Sequence, residues 1–405
     1  MKELTFLVFS DIHYGKDADS SDFTVDAVPP KGHIKNAVSK KQNLVGTLTG
    51  KQFNGLFVLG DITSVGAPAE FVGCSKVVHE IANQLKINRN NVMFSYGNHD
   101  VNWHISKLAD LEEKDSLYLN VAASTGAIFC KNQDFCDAHD IPGTGVFIRE
   151  DFVVFVANSG YYSTHNQEYS HGKLGPEQLA WLRGAIDKHS SASKWNILVL
   201  HHHPFNYPYP TAVEDISCLT EGAELVDLIG QSKIDIVCHG HRHHAKLHTA
   251  WQTGWVYPKT FFCAGSLAVT AEQRDNGEIP NTFHTLTLEK RTKTGAAFGN
   301  VTTYQYGSGD GWAQVRKSRV IPLDPVQKFG SLATSIEMQS LAQKIVQSAL
   351  PAAVTRALLP SLDLLPEELQ CVSLSDLNKL FPEVCKKMGV MLTGKYPDEV
   401  LVHKI

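Results

Sequence analysis

Leu4-Thr5-Phe6-Leu7-Val8-Phe9-Ser10-Asp11-Ile12-His13 opens with six residues of strand character that run straight into an Asp and a His. The run is too short for the core of a secretion signal, and its aromatic and branched residues read as a first, buried strand. The same arrangement recurs four times. Gly55 to Leu59 leads into Gly60-Asp61, and Asn91 to Phe94 into Gly97-Asn98-His99-Asp100. Trp195 to Leu200 leads into His201-His202-His203, and Ile234 to Cys238 into Gly240-His241-Arg242-His243. Five strands that each shed Asp, Asn or His at their ends predict an α/β fold with the donors gathered along one edge of a sheet.

Helical patterns lie between the strands. One is expected from about Ile34 to Leu48, and a second opens at Pro68, with Cys74, Val78, Ile81 and Leu85 on one face. A third runs from Pro176 to Asp187 around Leu179, Leu182 and Ile186. Residues 16–32, 101–145 and 204–216 read as loops that shape the donor edge. Beyond His243, Thr260 to Cys263, Thr282 to Leu288 and Val301 to Tyr306 suit a second, antiparallel layer, which predicts a two-sheet sandwich with flanking helices. From about residue 321 the character changes: Met338, Leu341, Ile345 and Ala349 mark an amphipathic helix, and Pro351, Pro360 and Pro366 break up the rest. The expected organisation is a main domain over 1–320 and a helical accessory region over 321–405 for packing or self-association.

The bulk composition narrows the function classes. The chain has 405 residues, 43% hydrophobic and 20% charged, as in ordinary soluble domains. A formal charge of −5 leaves no footprint for unspecific binding to nucleic acid or to an anionic membrane. No stretch has the length of a membrane-spanning helix. Eight cysteines without CxxC spacing read as reduced thiols, with Cys130 and Cys136 as a weaker candidate for a pair, and the expected compartment is the cytoplasm.

The donors themselves suggest chemistry. Asp, Asn and His together suit borderline divalent metals. Two such ions roughly 3.5 to 4 Å apart polarise a phosphoryl group and activate water near neutral pH, and their mutual repulsion calls for a shared carboxylate. Asp61, alone at its strand end, suits that part. Asp11 and His13 flank Ile12, and His241 and His243 flank Arg242, so extended backbone would turn each pair to one side. Asn98 adds a neutral carbonyl oxygen.

The order Asp-x-His, Gly-Asp, Gly-Asn-His-Asp, His, Gly-His-x-His resembles the calcineurin-like metallophosphoesterase superfamily. The segment Gly172-Lys173-Leu174-Gly175-Pro176-Glu177-Gln178-Leu179-Ala180-Trp181-Leu182 looks like its helix before the His strand, and Ala264-Gly265-Ser266-Leu267 like its late strand. Among branches, the likeness is greatest to bacterial class III cyclic-nucleotide phosphodiesterases and related glycerophosphodiesterases. The resemblance implies a four-layer α/β/β/α sandwich of two mixed sheets and two divalent ions drawn from Mn, Fe, Zn, Co or Ni. One ion is implied at Asp11, His13, Asp61 and His243, and the other at Asp61, Asn98, His201 and His241. It further implies in-line attack by a metal-bridging hydroxide on a small phosphodiester, a cyclic nucleotide or glycerophosphodiester. His99 is implied as proton donor or clamp, with Asp100 orienting its ring.

Departures narrow the branch. Protein Ser/Thr phosphatases carry Arg after Gly-Asp and Glu after Gly-Asn-His, where this chain has Ile62-Thr63-Ser64 and Asp100, and purple acid phosphatases place a Tyr ligand where Ser64 stands. A nuclease or phosphomonoesterase is the alternative within the enzyme class. A scaffold with structural metals and a partner-recruiting tail is the alternative outside it. The triplet leaves His201 and His202 both open as ligand. His239 and His244 read as structural, while Trp103, His104, Phe205, Tyr207 and Tyr209 are candidates for the pocket wall.

Overall fold

Alternation along the first strand sorts its side chains into two cores. In β1 (Leu4–Phe9), Phe6 and Val8 join one cluster and Leu7 and Phe9 another, as the two-residue period of a strand requires. The protein is seen in a computed structural model that describes residues 1–15, 40–103, 135–138, 141–163, 171–205, 217–268, 279–307, 311–315, 323–331, 335–351 and 353–404. β1 pairs in parallel with β2 (Gly55–Leu59), which pairs in parallel with β3 (Val92–Ser95). On its other side β1 pairs antiparallel with β11 (Thr282–Arg291), followed by β12 (Ala297–Gly307) and β13 (Gly311–Gln314), and β14 (Val326–Phe329) also pairs with β12.

The second sheet runs β4 (Phe135–Ala138), β5 (Ile141–Ile148), β6 (Phe152–Val156), β7 (Trp195–Val199), β8 (Ile236–His239), β10 (Lys259–Cys263) and β9 (Lys246–Ala250). β6, β7, β8 and β10 are mutually parallel and the outer strands antiparallel. The sheets meet face to face. Phe6 stacks on Phe57 at 4.6 Å, Phe152 of the second sheet meets Phe6 edge-on at 5.2 Å, and Trp195 is fully buried beside them. Helices α1 (Lys40–Leu48) and α2 (Pro68–Gln84) cover the outer face of the first sheet with Leu44, Phe71, Val78 and Ile81. Helices α3 (Gly175–His189) and α4 (Gly222–Gly230) cover the second with Leu182, Ile186, Leu225 and Ile229. The result is the expected α/β/β/α sandwich of two mixed sheets.

Two expectations need correction. The late strands do not form one antiparallel layer: β10 enters the second sheet parallel to β8, while β11 and β12 extend the first. β10 is buried along its whole length, so its apolar run suits a strand covered on both faces, whereas the outer part of β12 is half exposed. The domain boundary after residue 320 also leaves β14 with the tail, yet its pairing with β12 gives it to the body.

The tail holds α5 (Ser335–Ala349), α6 (Glu367–Gln370) and α7 (Leu374–Lys387), and with them an antiparallel sheet absent from the sequence reading. β15 (Arg356–Leu358), β17 (Leu401–Lys404) and β16 (Val390–Thr393) lie in that order, and strands of three or four residues are too short to announce themselves by periodicity. Val346, Leu369, Leu377, Phe381 and Val402 give the tail a core of its own. Bonds from Leu374 N to Asp324 Oδ2 (2.7 Å) and from Gln327 Nε2 to Cys371 O (3.3 Å) join it to the body. Cys74, Cys218, Cys238, Cys263, Cys371 and Cys385 form no disulfide among the described residues; Cys130 and the Cys136 side chain lie outside them. Among the described residues no helix is long and apolar enough to cross a membrane.

Candidate metal centre

The donors do converge, but from the facing ends of two sheets rather than along one. β1, β2 and β3 carry Asp11, Asp61 and Asn98 past their C-terminal ends, and β7 and β8 deliver His201, His241 and His243 from the other sheet. The backbone turns sharply there. Asp11, His13, Asp61, His241 and His243 have φ of 51°, 48°, 48°, 71° and 56°, and only Lys86 joins them among described non-glycine residues with positive φ. Left-handed turns, not extended alternation, therefore aim Asp11 with His13 and part His241 from His243. Such conformations cost on the order of 1 kcal/mol or more each and persist only when neighbours impose them. Here Asp11 N donates to Gly60 O (3.1 Å), His13 N to Asp61 O (2.9 Å) and Ser266 Oγ to Asp11 O (2.8 Å).

Two clusters result, joined at Asp61. In the first, His243 Nε2 lies 3.2 Å from Asp11 Oδ1 and 3.4 Å from His13 Nε2, and His13 Nε2 is 3.9 Å from Asp61 Oδ2. In the second, His201 Nε2 lies 3.2 Å from Asp61 Oδ2 and 3.2 Å from His241 Nδ1. The other Asp61 oxygen accepts the His99 amide at 2.9 Å. Gly97 leaves room for that carboxylate, since a Cβ there would stand 2.2 Å from Asp61 Oδ1.

Electrostatics test whether these residues fit a pair of cations. Burial resists charge on Asp61, yet the imidazoles around it, His201 foremost, hold its carboxyl well below the usual carboxylate range. Burial also resists charge on His201, but Asp61 and then Asp11 raise it to about 9, so protons here occupy the place of positive charge. Burial, followed by the nearby His99, lowers His13 to about 3. Burial and the adjoining His202 and His201 lower His241 well below its ordinary value. In each cluster a neutral ring, His13 or His241, thus faces one whose proton a buried carboxylate favours, His243 or His201. Asn98 Oδ1 is likewise buried without a hydrogen-bond partner among the described residues. A set of imidazole and carboxylate donors with an orphaned amide oxygen fits borderline divalent ions.

His99 stands beside the first cluster, with one ring nitrogen within 4.8 Å of donor atoms of His13 and Asp61. Its partner differs from the expected one. His99 Nδ1 donates to Ser64 O at 2.8 Å, and Asp100 does not orient the ring. The Asp100 carboxylate instead accepts from Ile62 N (3.2 Å), Thr63 N (2.9 Å), Thr63 Oγ1 (3.0 Å) and Gly97 N (2.9 Å). It is a buried tie between the turns that carry Asp61 and Asn98, because unpaired backbone amides draw an acceptor inward.

Residues 4–245 match the family model described as calcineurin-like phosphoesterase, more than half of the chain. The chain belongs to this family. No curated protein matches it in sequence. Among solved structures, similarity extends to purple acid phosphatase PPD1 of yellow lupin (Lupinus luteus) seeds, at 12% identity and a TM-score of 0.44, over 81% of this chain and 54% of that one. A dimetal phosphatase from Danio rerio is similar at 12% identity and a TM-score of 0.42, over 75% of this chain and 95% of that one. The NAD nucleotidase of Haemophilus influenzae is similar at 12% identity and a TM-score of 0.38, over 85% of this chain and 62% of that one. This chain thus spans about half the length of the lupin enzyme.

Hydrogen bonds separate the histidines of the phosphoesterase triplet. His201 Nδ1 donates to Leu59 O at 2.7 Å, which makes Nε2 the atom that faces Asp61 and the one free to bind an ion once its proton is displaced. Ser159 Oγ accepts from His201 N (3.3 Å) and His202 N (3.0 Å), so both lone pairs are taken and its proton goes to His202 Nδ1 at 2.9 Å. That assigns the His202 proton to Nε2, although its ring lies near enough to group with His201 and His241. His203 packs between His239 and His241 at 6.1 and 6.0 Å. His239 and His244 enter none of the four donor groups, and Arg242 donates to Ser217 Oγ at 2.9 Å. His104, Tyr207 and Tyr209 lie outside the described residues. Ser159 and Ser64 escaped sequence reasoning, because nothing local marks a hydroxyl or carbonyl that acts across a fold.

Proposed function

We propose that this phosphoesterase hydrolyses a small phosphodiester, of the cyclic-nucleotide or glycerophosphodiester type, with two divalent ions. The observation that carries this reading is the pair of donor clusters sharing Asp61. Asp11, His13, Asp61 and His243 would hold one ion, and Asp61, Asn98, His201 and His241 the other. Such a pair, when bound, supplies Lewis-acid polarisation of the phosphoryl group and activates water at neutral pH.

The chain's own groups do the rest. Asp61 would offset part of the charge of both ions, and the Asn98 amide would add a donor without charge, so that the site would stay attractive to an anion. His99, held at Nδ1 by Ser64 O, turns its other nitrogen to the substrate as proton donor to the leaving oxygen or as a clamp. Support for a diester comes from the sequence departures at Ile62-Thr63-Ser64 and Asp100, which set this chain apart from the protein phosphatase and purple acid phosphatase patterns.

A panel of cyclic nucleotides, linear diesters and phosphomonoesters, assayed with Mn²⁺, tests the reading, and the expected order is diester above monoester. Full activity of Asp61→Ala or Asn98→Ala, or after metal removal, would overturn it. The tail, with its own core and no donor group among the described residues, is proposed as a packing or self-association module.

A further inference from the structure

The chain places Trp103 where it can fix the orientation of His99. The indole and the His99 ring lie 5.0 Å apart, tilted by 39°. The His13 ring meets His99 edge-on at 4.7 Å and 87°. With Nδ1 bonded to Ser64 O, the His99 ring has, among the described residues, one polar tie and contacts from the His13 and Trp103 rings. A single hydrogen bond leaves a ring free to swing about its axis, so the flanking rings set its plane.

Both restraints come from one turn. Ser64 supplies the carbonyl, and Val65 O accepts the Trp103 amide at 3.1 Å. Gly66, at φ +68°, lets the backbone of Val101 and Asn102 press against that turn, since a Cβ there would stand 2.2 Å from Val101 O. The Thr63 hydroxyl, shared between the Asp100 carboxylate and His99 O at 3.0 Å each, closes the arrangement. The indole N–H is buried without a hydrogen-bond partner among the described residues. Among the described residues no polar bond holds the side chain, and its ring lies against His99.

We propose that Trp103 is a positioning residue for His99, holding the imidazole plane so that the nitrogen opposite Ser64 O faces the substrate. The inference rests on His99 as the group that meets the substrate, and its test separates the two claims. Trp103→Ala is expected to lower kcat at least tenfold with KM little changed and two metal equivalents retained, and Trp103→Phe to recover most of the rate. In a His99→Asn background the same Trp103→Ala change is expected to cost nothing further, because a residue acting through His99 has nothing left to act on. The His99 Cε1–H resonance, assigned by its loss in His99→Asn, is expected to move in Trp103→Ala whether or not any substrate is turned over. An undiminished cost in the His99→Asn background, loss of metal in Trp103→Ala, or an unmoved resonance would each overturn the proposal. A wild-type protein inactive on every phosphate ester, with that resonance shift intact, would instead overturn the proposed function.

Discussion

Gly97→Ala adds one methyl group at the point where the two proposed metal sites join. Gly97 has φ −109° and ψ −172°, a conformation alanine adopts freely, so only space is at stake. The new Cβ would lie 2.2 Å from Asp61 Oδ1, 2.6 Å from Asp61 N and 2.7 Å from His201 Cδ2. Relief requires the carboxylate to withdraw by about 1 Å, and displacement on that scale costs on the order of 100-fold in rate, or about 2.7 kcal/mol. The His99 amide that holds Asp61 Oδ1 is strained by the same movement. The expected result is a roughly 100-fold lower kcat on bis(4-nitrophenyl) phosphate with Mn²⁺, and weaker binding of the second ion by calorimetry. Circular dichroism checks that the fold is kept. A variant with two tightly bound ions and activity within about twofold of wild type would refute the argument that Asp61 must stand where it does.

Metal analysis of His201→Ala and His202→Ala tests the tautomer assignment: the first is expected to lose one equivalent and the second to keep both, and the reverse result would reassign the ligand. Acid stability tests His284, which accepts from Gly265 N (3.0 Å) and faces Thr303 Oγ1 (3.0 Å). Burial lowers it from 6.5 to about 3, so its contribution is fully present above the unfolded value and is lost as pH falls from 6.5 toward 3. Wild type should therefore lose about 3 kcal/mol through this group by pH 4, and urea unfolding of His284→Asn across that range should show a shallower slope; equal slopes would count against the assignment. For the tail, Leu358 and Leu364 are 53% and 71% exposed beside a cleft of about 610 Å³. Their joint change to Glu should reduce the mass measured by light scattering if the tail self-associates, and an unchanged mass removes that role.

Much of this was legible in the chain because strand ends and donors coincide in sequence. Phe6 and Val8 against Leu7 and Phe9 announce a strand with two buried faces, and Asp11 follows without a gap. The left-handed turns at Asp11, His13, Asp61, His241 and His243 had no such signal. A non-glycine residue takes positive φ only where surrounding bonds impose it, and those bonds come from Gly60, Asp61 and Ser266, some of them hundreds of residues away. Asp100 was misread for a related reason. Its neighbour in sequence is His99, but its partners in space are the amides of Ile62, Thr63 and Gly97.

The sequence by itself determined which donors exist, their order, and the layers of the sandwich, since these depend on residue type and local period. Only the tertiary structure decided which sheet each late strand joins, how His241 and His243 part, and which histidine of the triplet turns Nε2 to Asp61. A tautomer or an aim depends on groups brought near by folding, here Leu59 O for His201 and Ser159 Oγ for His202.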